Sequence, residues 1–179
     1  MTAPRPTIRP CTLADIPAVH ALLTETWHAT YDGWLGVERV NEIAATWHSH
    51  SQLAAQVGRP DSAFLLGEVD GRLGGTAFAH AANGSIEIGR LYVLPAHQRH
   101  RLGTAQLRAV IDAFPDAGAF QLDVEPRNDT ALAFYRRHGF AIIGAGTDSG
   151  GTGSGISHLR LEWAPSRAFD EPGTGSSTT

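Results

Sequence analysis

Residues 90–107 combine charge, a turn and the start of a helix in one stretch of sequence. An apolar run over residues 91–94 ends at Pro95, and a polar segment rich in Arg and His separates it from Gly103. This pattern predicts a strand, a turn and a helix N-terminus. The first turn of a helix has backbone N–H groups without intrahelical acceptors and carries partial positive charge, so it can bind an anion.

The positive charge and the glycine of the segment between Pro95 and Gly103 support an anion site. Arg99 and Arg101 lie in it, and residues 90–108 contain four Arg and no Asp or Glu, in a chain whose net charge is −4. Gly103 lets a ligand approach the backbone closely. A local positive pocket on an acidic protein indicates a small anionic ligand rather than a nucleic-acid surface.

A second group of chemically suitable residues follows at 124–140. Asn128, Ala131 and Tyr135 are spaced i, i+3 and i+7 within a predicted helix, which places them on one face. Gly139 follows the helix as its expected C-terminal stop.

Both stretches resemble motifs of the GNAT superfamily of N-acetyltransferases. Gln98 and Gly103 match the acyl-CoA pyrophosphate loop, Q/R-x-x-G-x-G/A, whereas Arg101 stands where the first motif glycine would be. Residues 128–140 match N-x-x-A-x-x-x-Y-x-x-x-G-F at every named position, up to Phe140. The resemblance covers residues 7–163, with its specific motifs between Glu87 and Phe140.

The resemblance implies an enzyme that transfers acetyl from acetyl-CoA directly to a primary amine of a small molecule or peptide. The diphosphate would lie on the 98–104 turn, and pantetheine would lie between strands four and five like an added strand. The residues so implied to bind the cosubstrate are Leu91, Tyr92, Val93, Gln98, Arg99, His100, Arg101, Leu102, Gly103, Thr104, Asn128, Ala131 and Tyr135.

By the same resemblance, Tyr135 is the general acid and Asn128 bonds the pantetheine arm. A phenol with a pKa of ~10 is a proton donor at neutral pH, and the departing thiolate is of similar basicity. A core tyrosine with a satisfied hydroxyl is the alternative. Residues 91–93 lie on the strand that would offer a backbone N–H to the oxyanion.

The amine must lose a proton, and two residues are candidates for the base. Glu87 lies on strand four, where GNAT enzymes commonly keep a base or a base-linked water; the alternative is a structural ion pair with Arg90 or Arg72. His80 on strand three titrates in a suitable range and is also a candidate acceptor contact. A structural role for this histidine is the alternative.

The acceptor side of the site is expected at residues 27–36, predicted as a loop between the first two helices. Trp27 and Tyr31 repeat a W-x-x-x-Y pattern of related enzymes, and Trp34 follows. These aromatic residues are either the wall of the acceptor site or a lid packed on the core. The sequence does not identify the acceptor itself.

The elements that must position these residues follow from hydrophobic periodicity and turn signals. Predicted strands cover residues 7–9, 63–69, 73–81, 85–94, 120–124, 140–143 and 156–163, and predicted helices cover residues 12–27, 37–57, 103–114 and 127–138. Asp70-Gly71 and Asn83-Gly84 predict two-residue hairpin turns, and residues 144–155 predict a flexible connection or a floppy hairpin tip. The order β-α-α-β-β-β-α-β-α-β-β is that of the GNAT fold, an α/β (α+β) architecture with a mixed sheet of about seven strands and helices on both faces.

Composition narrows the class of protein further. We expect one domain over residues 1–164 and a disordered tail over 165–179. The chain has one cysteine and no lysine, which excludes an intrachain disulfide, Schiff-base chemistry and a P-loop. No signal peptide, membrane span or metal-ligand spacing is evident, so we expect a cytoplasmic protein that binds neither membrane, nucleic acid nor metal. Dimers are common in the family, which leaves a homodimer open.

Two other functions compete with catalysis. A GNAT fold could serve as a non-catalytic acyl-CoA sensor or interaction domain, although the presence of Tyr135 argues against it. A nucleotide-binding module is disfavoured because the chain lacks a Walker lysine and a dinucleotide fingerprint.

Overall fold

The computed structural model describes residues 6–98, 100–147 and 155–165. The chain divides into two compact units. The first contains Met1–Ala82 and Glu87–Pro115, and the second contains Asn83–Ile86 and Asp116–Thr179. The predicted tail, apart from Pro165, lies outside the described residues.

Seven strands and five α-helices make up the fold. The strands are β1 (Pro6–Pro10), β2 (Ser62–Val69), β3 (Arg72–Ala82), β4 (Ser85–Val93), β5 (Phe120–Val124), β6 (Ala141–Gly146) and β7 (His158–Trp163), and the helices are α1 (Ile16–Leu35), α2 (Val37–Trp47), α3 (His50–Gln56), α4 (Leu102–Asp112) and α5 (Asp129–Arg137). The strand order in the sheet is β1-β2-β3-β4-β5-β7-β6. The predicted mixed α/β class, with about seven strands, is confirmed.

Both predicted hairpin turns form. Asp70 and Gly71 have φ values of 53° and 72°, and Asn83 and Gly84 have φ values of 50° and 80°. Two successive positive φ angles define a type I′ turn, whose twist matches that of the strands it joins. The turns therefore fix the register of the β2–β3 pair and the start of β4.

The helical region between β1 and β2 differs from the prediction in two places. The predicted loop at 27–36 is wrong, because α1 continues through Gly33 to Leu35 and ends at Gly36, where φ is 82°. The single helix predicted over 37–57 is also wrong. It divides into α2 and α3 at residues 48–49, where the Ser49 hydroxyl accepts a hydrogen bond from the Gln52 N–H at 3.3 Å. The resulting order has three α-helices before β2.

The core of the first unit lies where α1 and α3 cover one face of its strands. Its buried members are Cys11, Ile16, Val19, Leu22, Leu23, Leu53, Phe64, Leu66 and Phe78. Burial raises the pKa of the Cys11 thiol to about 11, and this residue is the single cysteine of the chain. Helix α4 packs against the opposite face of β2 and β3, as contacts of Gly67 and Gly75 with Gln106 show.

The second unit has one apolar and one polar sheet face. Phe120, Leu122 and Leu161 are buried, and the rings of Phe120 and Trp163 lie 5.6 Å apart. On the polar face, Arg160 donates to the Asp123 carboxylate at 3.0 Å. Of residues 144–155, predicted as a flexible connection or a hairpin tip, residues 144–146 belong to β6, which pairs antiparallel with β7, and residues 148–154 lie outside the described chain.

Candidate active site

The turn that precedes α4 has the backbone form expected of the glycine motif, although its glycine is missing. Arg101 has φ 58° and ψ 12°, in the left-handed region, and it is the N-cap residue of α4. An arginine resists this conformation because its Cβ crowds the backbone. The side chain is exposed and makes no hydrogen bond or ion pair with the described residues. The turn therefore has a positive φ and an exposed cation at the position of the motif's first glycine.

The amides at the start of α4 point to an acceptor outside the helix. The first intrahelical bond runs from the Ala105 N–H to the Arg101 carbonyl at 3.0 Å. The preceding N–H groups of Leu102 and Gly103 have no intrahelical acceptor. No side chain among the described residues caps this helix, and its first turn contains no acidic residue. These features suit a diphosphate.

Three glycines allow α4 and the turn to lie close to the sheet. A Cβ at Gly67 would lie 2.6 Å from Leu102 Cδ1, and a Cβ at Gly74 would lie 2.8 Å from His97 Cγ. At Gly75 it would lie 2.8 Å from the carbonyl oxygen of Tyr92. Because Gly67 pairs with Gly75 across β2 and β3, the two missing side chains form one shallow seat for the helix.

The end of β4 is tied to both of its neighbours in this region. The Leu94 N–H donates to the Gly74 carbonyl at 2.8 Å, and Gln98 Nε2 donates to the Val93 carbonyl at 3.4 Å. Leu91, Tyr92 and Val93 are half-buried. Gln98 thus holds the turn to the strand, which the motif alone did not reveal. His100 is exposed, and Arg99 lies outside the described residues.

The two candidate bases interact electrostatically. Burial is the main cause that lowers the pKa of His80, Arg59 lowers it further, and the Glu87 carboxylate opposes the shift. His80 Nδ1 is buried without a hydrogen-bond partner among the described residues. A depressed pKa favours the neutral imidazole, which can accept a proton but binds it more weakly than an exposed histidine does.

Neither Arg90 nor Arg72 forms the ion pair with Glu87 that the sequence left open as a structural role. Arg90 donates to Gln56 Oε1 at 2.8 Å and lies over the rings of Phe64 and Phe78, at 4.7 and 5.4 Å from their centroids. Arg72 makes no hydrogen bond or ion pair within the described ranges. Arg90 is buried, and this desolvation lowers its pKa to about 10.

The three aromatic residues of the predicted acceptor side lie on α1. Trp27, Tyr31 and Trp34 are spaced i, i+4 and i+7, and successive ring centroids lie 4.7 and 5.5 Å apart. Trp27 is buried, whereas Tyr31 and Trp34 are half-buried. They line one face of a helix rather than a loop, because tertiary packing of the rings overrides the helix-breaking tendency of Gly33.

Three further residues, of which Trp47 and His48 had no signal in the sequence, pack against this aromatic group. Trp47 and His48 pack on Trp27 at 5.5 and 5.2 Å, and Tyr92 lies 6.4 Å from it. Burial, with a smaller effect of Arg90, lowers the pKa of His48 to about 3, so this ring is neutral. The sequence did not indicate that α2 ends at Trp47. This helix end places Trp47 and His48 beside Trp27.

In the second unit, α5 carries the second motif. Asn128 is its N-cap, and the Asn128 Oδ1 accepts a hydrogen bond from the Ala131 N–H at 3.1 Å. Tyr135 is buried among aromatic rings, 5.1 Å from Phe134 and 5.4 Å from Phe140. Gly139 ends the helix with φ 86°, as predicted. Asn128 keeps its amide N–H groups for a second partner.

The described residues contain neither a candidate membrane span nor a candidate metal site. None of their helices is long and apolar enough to cross a membrane. No group of three or more His, Cys, Asp or Glu side chains within the described ranges is arranged to hold a metal ion.

Comparison with known proteins gives a family match. The model of the Acetyltransferase (GNAT) family matches residues 18–140. The chain is 34% identical over 127 residues to mycothiol acetyltransferase of Acidimicrobium ferrooxidans, covering 62% of this chain and 40% of that protein. It thus spans less than half the length of this relative. An uncharacterized N-acetyltransferase of Mycobacterium tuberculosis is 30% identical over 138 residues, covering 75% of this chain and 88% of that protein.

Solved structures share the fold. PaiA N-acetyltransferase from Thermoplasma acidophilum, in complex with coenzyme A, has a TM-score of 0.78 and 21% identity, covering 92% of this chain and 99% of that chain. The ribosomal-protein-S18-alanine N-acetyltransferase of Escherichia coli has a TM-score of 0.68 and 19% identity, covering 95% and 97%.

Proposed function

Because the chain belongs to the GNAT acetyltransferase family, we propose that it transfers the acetyl group of acetyl-CoA directly to a primary amine of a small molecule or peptide. The observation that carries this proposal is the left-handed Arg101 at the open N-terminus of α4. A positive φ at the position of the motif's first glycine supports the proposal that this turn binds the diphosphate of acetyl-CoA.

The residues of the first unit fit the anionic end of acetyl-CoA. The amides of Leu102 and Gly103 offer donors, Thr104 follows in the same turn, and Arg101 and His100 offer exposed side chains. Arg99 is proposed to add charge on the strength of the sequence motif alone. The half-buried backbone of Leu91, Tyr92 and Val93 would bind the pantetheine arm, with Asn128 and Ala131 of α5 as further contacts.

Acetyl-CoA supplies an activated thioester: the amine nitrogen forms a C–N bond to the acetyl carbon as the C–S bond breaks. Side chains of this protein would donate and accept the protons of the reaction. Tyr135 donates its phenolic proton to the sulfur, and Glu87 or His80 takes the proton that the ammonium loses.

A free-CoA release assay with a panel of amines tests the proposal. Turnover of at least one amine, with loss of turnover in Tyr135→Phe, is the expected result. A non-catalytic acyl-CoA sensor would bind acetyl-CoA in calorimetry and release no CoA with any amine, and that outcome would overturn the proposal.

A further inference from the structure

One buried polar side chain on α4 has no hydrogen-bond partner. The buried residues of this helix are Leu102, Gln106, Leu107 and Val110, of which Gln106 is polar. Its side chain is fully buried, and neither Nε2 nor Oε1 has a partner among the described residues. Unpaired buried polar atoms lower stability, and nearly all such groups in folded proteins are paired. An apolar side chain would avoid this cost, so the amide indicates a further role.

The Gln106 amide lies beside a glycine that a carbonyl of β4 also approaches. A Cβ at Gly75 on β3 would lie 2.6 Å from Gln106 Oε1 and 2.8 Å from the carbonyl oxygen of Tyr92 on β4. A Cβ at Gly67 on β2 would lie 3.3 Å from Gln106 Cδ. The amide and the Tyr92 carbonyl are therefore neighbours at one point between α4 and the sheet.

The amide carries the donor that this carbonyl can accept. Oε1 of Gln106 faces Gly75, and a half-turn about the last bond of the side chain exchanges Oε1 with Nε2. A carbonyl oxygen has two lone pairs, so that of Tyr92 can accept a bond from Nε2 in addition to a partner within the sheet. One rotation thus gives the buried amide a partner.

The Tyr92 carbonyl belongs to a peptide whose donor lies on the opposite edge of β4. Both the Tyr92 carbonyl and the Leu94 N–H point towards β3, since the latter donates to the Gly74 carbonyl at 2.8 Å. In a planar trans peptide the C=O and N–H point in opposite directions. The Val93 N–H therefore points away from β3, to the edge of β4 proposed for pantetheine.

We propose that Gln106 is a positioning residue: when acetyl-CoA binds, its Nε2 donates to the Tyr92 carbonyl and thereby fixes and strengthens the Val93 N–H as a donor to the thioester oxygen. The inference rests on the proposed function. Negative charge develops on that oxygen when the amine attacks, and a fixed backbone donor stabilises it. Hydrogen bonds in a chain polarise one another, so a donor on the C=O of a peptide makes its N–H a stronger donor.

Gln106→Met tests this role kinetically, because methionine is similar in length and has no donor. We expect kcat to fall about fivefold, as for the loss of one neutral hydrogen bond. The Kd for acetyl-CoA should change little, since the bond strengthens in the transition state. The melting temperature of the free protein should not fall, because the amide has no partner to lose among the described residues.

Leu107→Met, on the same buried face of α4, is the matched control and should keep the wild-type kcat. Gln106→Leu replaces Gln106→Met if the methionine variant does not fold. An unchanged kcat in the Gln106 variant would overturn the inference. A kcat that falls together with the melting temperature would also overturn it, since the side chain would then be structural.

The thioester carbonyl reports the same effect without catalysis. Isotope-edited infrared difference spectra of carbonyl-labelled acetyl-CoA, bound with no amine present, give its C=O stretching frequency, which falls as the oxygen accepts a stronger hydrogen bond. We expect a higher frequency in Gln106→Met than in the wild type and in Leu107→Met. Equal frequencies in all three would overturn the inference while leaving the proposed function intact. The expected shift without CoA release from any amine would support the assignment of Gln106 and overturn the proposed function.

Discussion

The N-termini of α4 and α5 are built in opposite ways. At α5, the Asn128 side chain caps the Ala131 N–H, and Asp129 places a negative charge in the first turn. At α4, the N-cap is a left-handed, exposed arginine, and among the described residues neither a side-chain cap nor a first-turn acid is present. One helix end is satisfied by its own chain, whereas the other presents its amides and a cation to the outside.

This difference fits the two proposed roles, ligand binding at α4 and catalysis at α5. An open, positive helix end lowers stability unless an external anion meets it, so the α4 N-terminus suits the anion binding proposed for it. The side-chain cap of α5 restrains its first turn, which suits the proposed role of Tyr135 as a positioned proton donor.

The largest effect is expected for Tyr135→Phe. Removing the phenolic proton should lower kcat by ~10²–10⁴-fold, the usual contribution of general acid catalysis, with little change in the Kd for acetyl-CoA. Steady-state kinetics and calorimetry measure the two quantities. Full turnover in this variant would refute the proposed catalytic role of Tyr135. The comparison between a ligand-binding α4 and a catalytic α5 would then fail.

Gly103→Glu should abolish acetyl-CoA binding. Like charges at 4 Å repel by about 4 kcal/mol at an effective dielectric of 20, which corresponds to about a thousandfold in Kd. Gly118→Glu is the matched control, because a Cβ at Gly118 meets no atom within 4 Å and the residue is exposed outside α4. If calorimetry gave the same affinity for both variants, the diphosphate would not bind at the α4 N-terminus.

Substitutions of Asn128 separate capping from ligand binding at α5. Asn128→Ala should cost about 1 kcal/mol through the lost cap, which lowers Tm by roughly 2–4 °C in a chain of this size. Asn128→Asp restores an oxygen for the cap but removes the amide donor. It should recover the Tm without recovering the acetyl-CoA affinity, and recovery of both would show that Asn128 is only a cap.

The smallest effect is expected at Arg101. Arg101→Gly removes a left-handed strain of ~1–2 kcal/mol but adds ~0.5–1 kcal/mol of backbone entropy cost, so a gain of ~0–1.5 kcal/mol should remain. The acetyl-CoA Kd should rise a few-fold as the cation is lost. Arg101→Lys keeps both strain and charge and should resemble the wild type in thermal melts and calorimetry. A Kd unchanged in Arg101→Gly would mean that the arginine does not contact the ligand.

Local signals were sufficient for much of the fold. The Asp70-Gly71 and Asn83-Gly84 turns formed as predicted, because paired positive φ angles depend on short-range sterics. Strand β5 has the predicted bounds, Phe120–Val124. The ends of α5 also followed from local signals, since Asn128 is its N-cap and Gly139 follows it with a positive φ.

Features that depend on tertiary contact were not predictable from the sequence. Gly33 indicated a loop, yet the packing of Trp27, Tyr31 and Trp34 keeps α1 helical around it. The burial of Arg90 between two phenylalanine rings has no local signal, because arginine is usually found at the surface. The seat formed by Gly67 and Gly75 depends on the cross-strand register, which a single strand's sequence does not contain.

The buried position of Cys11 has a practical consequence for measurement. With no other cysteine in the chain and a thiol whose pKa is about 11, almost no protein thiolate is present at neutral pH. A disulfide-exchange dye added to the reaction will therefore be consumed by the coenzyme product rather than by the enzyme. The reaction can therefore be followed continuously by colour even at high protein concentration. Slow turnover of a poor acceptor is then not hidden by a reaction of the dye with protein thiols.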